Sequence, residues 1–249
     1  MKHIRPCILG SIAMATLSML PLSAQGGGGS ALRTYIQSLP LQSIEAGERV
    51  DLLNMRQEEK LARDVYQVLS GVWGIPAFAN ITESEQNHMD LVKLLLDRYG
   101  IPDPLPSERI GVFADPRYTQ MFESLVAVGA QSPFWAALVG MCIEDLDIFD
   151  LDAALQRSDN RDLDTVWQNL QLGSRNHMRA FDNLLRSWSF TYPGVFLPYA
   201  RIVAIVTSPH ERGAVDENGD PLVGDGPGGP SSCSLGGPRR AANRCRGSC

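Results

Sequence analysis

The chain has 249 residues, 44% of them hydrophobic, and a formal net charge of −6. That length suits one large domain or a medium domain with appendages. The acidic balance argues against a nucleic-acid-binding protein, which needs a basic face, and no stretch after residue 25 is long and apolar enough to span a bilayer.

Residues 1–24 read as a signal peptide. Lys2, His3 and Arg5 make a basic start, Cys7 to Leu22 an apolar run, and Ser23-Ala24 a small-residue cleavage site before Gln25. An uncleaved anchor is the alternative, because Leu22 is larger than its position prefers. Cleavage removes Lys2 and Arg5, leaving 20 basic and 28 acidic residues, a formal −8. The protein is therefore expected to be exported, periplasmic or secreted, with no membrane span after cleavage. Of the five cysteines, Cys7 leaves with the signal. Cys233, Cys245 and Cys249 crowd into the tail, where an oxidising compartment favours a disulfide. Cys142 sits in an apolar helical run and reads as a buried thiol. There is no Cys-x-x-Cys pair, which excludes a zinc ribbon or a rubredoxin-type iron site.

Residues 25–45 read as a glycine linker, Gly26 to Ser30, followed by a short helix from Ala31 to Leu39 that ends at Pro40. The first long helix is predicted from about Ala46 to Ser70. Leu52, Met55, Glu59, Ala62, Tyr66 and Leu69 recur at alternating three and four. Glu59 is the charged member of that stripe. A second apolar stripe contains Glu58, so either carboxylate can be the inward one. Gly71, Gly74 and Pro76 close the helix.

The next helix carries Phe78, Ile81, Glu85, His88, Val92, Leu95 and Tyr99 on one stripe. A start at Thr82 would make Thr82-x-x-Glu85 a capping box. A start at Pro76, which suits the first helical position, puts Glu85 well inside the helix and uses the whole stripe. The longer helix is the expectation, stopped by Gly100. Gly100 to Ser132 is then a long crossover with Pro102, Pro104 and Pro106 and one short helix, Asp115 to Val128. The third long helix is capped by Ser132, has Pro133 first and runs to about Arg157. Its stripe is Ala137, Met141, Glu144, Ile148, Leu151 and Leu155, with Asp147 on the same side. The fourth follows Asp159-Asn160 and runs to about Trp188, with His177 as the polar exception on its stripe. Phe196 to Val206, inside an extension over 191–209, fits either a strand or a helix. Residues 210–249 are rich in Gly, Pro and Asp, then in Arg and Cys, and read as a disordered tail. Asp216-x-Asn218-x-Asp220 lacks the glycine and closing glutamate of a calcium loop.

The expected fold is all-α: a four-helix bundle over 46–190, with a long crossover between its second and third helices, the ferritin-like topology. Each inward stripe has a polar break: Glu59; Glu85 with His88; Glu144 with Asp147; His177. Charged side chains are rare in a core unless they are paired or bound to metal. Glu59, Glu85, Glu144 and Asp147 balance two divalent cations, and His88 and His177 add nitrogen donors.

These residues also carry a resemblance. Glu59-Lys-Leu-Ala62-Arg63-x-x-Tyr66 and Glu85-x-x-His88 look like the first two helices of rubrerythrin-type proteins in the ferritin-like superfamily. Glu58 to Tyr66, Ser84 to Met89, Ile143 to Ile148 and Gly173 to Met178, taken in order, resemble an uncharacterised ferritin-like family, domain of unknown function 2202, over about Glu48 to Trp188. The resemblance implies a carboxylate-bridged pair of divalent metals and supplies no substrate. Iron is the first expectation, with manganese or zinc as alternatives. Oxygen or peroxide is the expected small-molecule partner, in oxidase, ferroxidase or peroxidase-type chemistry, and a homo-oligomer is compatible. The alternatives are a non-catalytic metal-binding or storage protein and a metal-free interaction bundle. A standard di-iron bundle carries a second Glu-x-x-His on its fourth helix, and here Ser174 stands three before His177. Asp147 is the candidate replacement; a solvated acid is the other reading. Tyr66 is either a redox or hydrogen-bonding neighbour of the metals or simply core. Arg63 either pairs with a ligating carboxylate or lies on the surface. Trp135, Trp167 and Trp188 are expected to be packing residues.

Overall fold

A computed structural model describes residues 27–222. The signal peptide expected over 1–24 and residues 223–249, with Cys233, Cys245 and Cys249, lie outside the described residues. The elements are α1 (Gly27–Ser38), α2 (Ala46–Trp73), α3 (Pro76–Arg98), α4 (Pro116–Gly129), α5 (Pro133–Arg157), α6 (Arg161–Arg186) and α7 (Tyr199–Thr207). Among the described residues the only β pairing is one isolated bridge, Val215 with Pro221, so the protein is all-α. No described helix is long and apolar enough to cross a membrane.

The four long helices pack side by side in a closed ring. α2 lies against α3 and α5, and α6 completes the ring against α3 and α5. α4 crosses the outer side of α2 and α5. Helix boundaries follow local chemistry. Pro76 opens α3 with Ile75 as cap, so Thr82 lies inside the helix and its hydroxyl donates to the Phe78 carbonyl at 2.8 Å. That rules out the capping role for Glu85. Ser132 and Asp115 cap α5 and α4 through their side chains, each with proline following. Gly74 takes the left-handed φ of 62° that ends α2, three residues past the expected stop. The true capping box belongs to α2, where Glu45 and Glu48 satisfy each other's backbone.

The inward stripes bury two separate apolar clusters. One gathers Leu61, Val65, Tyr66, Phe78, Met141 and Phe181. The other gathers Leu52, Met55, Val92, Leu95, Leu151 and Trp167. Between them on α2, α3 and α6 lies a polar layer containing Glu59, Glu85, His88, Ser174 and His177, and α5 adds Glu144, all buried.

The opposite face of α2 is charged and still buried. Arg56, Lys60, Arg63 and Asp64 are covered by the crossover. Arg56 donates to Asp103 and Glu108, Lys60 is paired with Asp64 and donates to the Arg109 carbonyl, and Arg63 donates to Asp64, Gln86 and Glu108. Arg63 is therefore neither a surface residue nor a partner of the polar layer. Its charge holds the crossover down.

Three further differences from the sequence reading concern the two ends and the tryptophans, and one open choice is resolved. α1 begins at Gly27, inside the expected linker. Residues 199–207 are helical, and Asp145 organises the loop before them by accepting from the Tyr192 hydroxyl and the backbone amides of Val195, Phe196 and Leu197. Residues 210–222, expected in a disordered tail, form an ordered strap along α6. Asn169 pairs with both backbone groups of Val215, Asn176 pairs with both of Glu211, and the Glu211 carboxylate accepts from Arg175 and Arg179. These polar pairs hold the strap without a large apolar face. Within it, Asp216 accepts from the amides of Asn218 and Asp220, so its carboxylate caps a turn. Trp167 is core, whereas Trp135 and Trp188 are 40% and 46% exposed.

Candidate metal centre

Glu59 comes from α2, Glu85 and His88 from α3, Glu144 from α5 and His177 from α6, and all five are buried. Their donor atoms form two groups, Glu59–Glu85–His88 and Glu85–Glu144–His177, within each of which the atoms lie within 4.8 Å of one another. Glu85 belongs to both. Its Oε2 is 2.8 Å from His88 Nδ1 and its Oε1 is 2.9 Å from His177 Nδ1. Glu59 Oε2 is 3.2 Å from His88 Nδ1, and Glu144 Oε2 is 3.4 Å from His177 Nδ1. The i, i+3 spacing of Glu85 and His88 puts both on one face of α3, and the ring of helices brings the other donors to them.

Burial and neighbouring charge set the protonation. Burial pushes Glu59 up to about 8, with His88 pulling the other way. Burial would also raise Glu85, but the His177 and His88 imidazoles hold it far below the usual carboxylate range. Burial opposes the charged form of His177, yet Glu85 and Glu144 push it up to about 10. His88 is raised well above the usual imidazole value by Glu59 and Glu85 against the same opposition. Burial, with Glu85 adding to it, raises Glu144. Without metal, the layer is held together by protons on its imidazoles and on Glu59.

Two features of the donor set fit a metal pair. Glu59 Oε1 is buried with no hydrogen-bond partner, a costly state for a polar atom, and His177 Nδ1 is in ion-pair range of Glu85 and Glu144 without a well-aimed hydrogen bond to either. Both point to ligation, because each belongs to one of the two groups. The mix of carboxylate oxygen and imidazole nitrogen suits first-row divalent metals such as iron, manganese and zinc. Each group can hold one ion, with Glu85 bridging.

Glu58, the alternative to Glu59, is half-buried and accepts from the Tyr118 hydroxyl at 3.1 Å, away from the cluster. Asp147 belongs to neither three-residue group. Its carboxylate accepts from the hydroxyl of Ser174, the α6 residue standing where a standard di-iron bundle carries a glutamate. Tyr66 is fully buried and donates to Glu144 Oε1 at 2.6 Å. Burial and the Glu144 charge raise its hydroxyl well above the usual value, so it stays a neutral donor that fixes one carboxylate oxygen.

Two positions were missed as site residues. Ser84 Oγ lies 2.9 Å from His177 Nε2 and orients that ring. Gly173 faces His88 so closely that a Cβ there would lie 2.4 Å from His88 Nε2. A glycine in a helix interior costs about 1 kcal/mol against alanine, and at one turn before His177 that cost was the legible sign of a close approach. A groove of about 960 Å³ runs between α3 and α6 and reaches both imidazoles, lined by Ser84, Asn87, Gly173 and Asn176 and bordered by His210 of the strap.

A family described as "Uncharacterized protein domain (DUF2202)" matches residues 48–209. The chain belongs to this family. The match takes in all four long helices and every donor of the cluster, and it ends just before the strap. Among relatives, the chain is 46% identical over 179 residues to the uncharacterized protein MJ0754 of Methanocaldococcus jannaschii, covering 72% of this chain and 97% of that one. The crystal structure of the hypothetical protein MJ0754 is similar at a TM-score of 0.68 and 45% identity, over 70% of this chain and 99% of that chain.

Proposed function

We propose that this DUF2202 protein is an exported, ferritin-like di-metal carboxylate protein, with iron as the first-choice metal and dioxygen or peroxide as its oxidant. The observation that carries the reading is the shared Glu85: one buried carboxylate serves two three-donor groups on facing helices, the arrangement ferritin-like di-metal proteins use. The Glu59 Oε1 that accepts no hydrogen bond supports it. The basic-then-apolar start of the sequence supports export. When bound, the metal pair would supply redox capacity and Lewis acidity. Glu85 would fix the spacing, Glu59 and Glu144 would complete each side, and Tyr66 would hold Glu144 in one orientation. The groove between α3 and α6, which carries Ser84, Asn87 and Asn176 beside both imidazoles, would admit hydrated ions.

The layer predicts a pH dependence. Glu59, His88 and His177 hold protons at neutral pH in the metal-free protein and must release them to bind metal. Two divalent ions are expected to displace about three protons per chain, and affinity to rise with pH. The stability linkage has the opposite sign. The contribution of His177 to the metal-free fold is complete below the ordinary imidazole value and is lost as pH rises through about 10. Anaerobic ferrous titration in weak buffer with a pH indicator, followed by oxygen, reads both the protons and the oxidation. No proton release and no absorbance change on oxygen addition would sink the reading.

One observation favours a second reading, a metal-free polar layer. Each imidazole Nδ1 lies within 3.4 Å of two carboxylates, so ion pairs alone close the layer. That reading expects the titration to be silent.

A further inference from the structure

We propose that the cavity between α2, α4 and α5 takes up a small apolar molecule of the dioxygen class and passes it to the metal cluster alongside Asp147. The proposal rests on the di-metal reading and adds a binding site to it. The cavity holds about 140 Å³ and is walled by Leu61, Ala62, Leu125, Ile143, Leu146 and Phe196. Glu58 and Asp147 also line it, each with one oxygen bonded elsewhere, Glu58 Oε1 to the Tyr118 hydroxyl and Asp147 Oδ2 to Ser174. A buried water needs two to four polar partners, and an apolar cavity of about this size stays dry and binds solutes such as xenon or benzene.

Position makes this more than a packing defect. Ala62 is one turn from Glu59 on α2, and Asp147 is one turn from Glu144 on α5. Asp147 lines the cavity, yet its carboxylate reaches Ser174 of α6. Its side chain therefore runs from the cavity wall to Ser174 of the polar layer. The other approach, the groove over the two imidazoles, mixes asparagine and serine side chains with Leu32, Ile81, Leu91 and Val206. The groove on the α3–α6 side thus offers polar groups among apolar ones, whereas the cavity on the α2–α5 side is walled almost wholly by apolar side chains. The first suits hydrated ions, the second an uncharged gas.

Xenon pressurisation of crystals of the full chain tests the site directly. Xenon is expected in the cavity of the native chain, metal-free or loaded, and absent from Leu146→Phe, which fills it. Iron-loaded Leu146→Phe is expected to keep its metal content and to consume oxygen several-fold more slowly when oxygen is limiting. Metal retained with no xenon in the native cavity overturns this proposal alone. Unchanged oxygen consumption in a filled cavity overturns the delivery role. Xenon bound in a chain that retains no metal overturns the delivery role together with the di-metal reading. The native-chain measurement needs no variant, so a Leu146→Phe chain that fails to fold leaves the test intact.

Discussion

Glu85→Ala is expected to lose both metals, where removal of any other donor loses one. Glu85 alone belongs to both donor groups, with one oxygen directed at each imidazole. Glu144→Ala leaves Glu59, Glu85 and His88 intact and is expected to retain a single ion. Glu58→Ala, whose carboxylate faces Tyr118, is expected to retain two. The effect extends to stability. Without Glu85 two buried imidazoliums lose a partner, and breaking a buried ion pair by removing one member costs about 3–5 kcal/mol. Metal present at a thousandfold excess over its dissociation constant stabilises the native chain by about 4 kcal/mol, and Glu85→Ala forfeits that as well. Metal counts by elemental analysis, with melting curves with and without metal, read both effects. A Glu85→Ala chain that keeps two metals, or melts like the native chain, contradicts the bridging role.

Gly173→Ala is the second large effect. The added methyl would sit 2.4 Å from Nε2 and 2.5 Å from Cε1 of His88. The imidazole cannot retreat without breaking its contacts with Glu59 and Glu85, because Nδ1 is the atom that makes both. Overpacking of this kind costs about 1–3 kcal/mol. The relaxed structure is expected to swing His88 out and lose the Glu59–Glu85–His88 ion while Glu85, Glu144 and His177 keep theirs. Gly140 provides the comparison. A Cβ there would meet the Phe181 ring at 2.6 Å, in the apolar core. Gly140→Ala is expected to be destabilised to a similar degree and to keep both metals. Two metals retained in Gly173→Ala would show that the close approach is packing and not a ligand constraint.

The long helices and the polar layer were legible because both are written at helical spacing. The stripe from Phe78 to Leu95 decides for Pro76 as the start of α3, and the position of Glu85 follows from that. The breaks at Glu59, Glu144 and His177 are visible because each interrupts an otherwise apolar series. What was not legible depends on partners distant in the chain. Arg56, Lys60, Arg63 and Asp64 look like a solvated face of α2, and they are buried only because Asp103, Glu108 and Arg109 of the crossover come down on them. The strap has a tail-like composition, and its order comes from Asn169, Asn176 and two arginines on α6. Asp147 lay between two readings. Spacing could put it beside Glu144, but only the α6 backbone could show that it spends its carboxylate on Ser174.

The polar layer also explains what this core gives up. Five buried titratable side chains separate two apolar clusters that would otherwise be continuous. Burying charge in this way is unfavourable unless it is compensated, and in the metal-free protein the compensation is ion pairs that leave Glu59 Oε1 without a hydrogen bond. The most direct measurement is the metal content of the native protein purified from its own compartment. Two transition-metal ions per chain, falling to none in Glu85→Ala, is the predicted result. A native chain that carries no metal and takes up none on anaerobic titration would contradict the account.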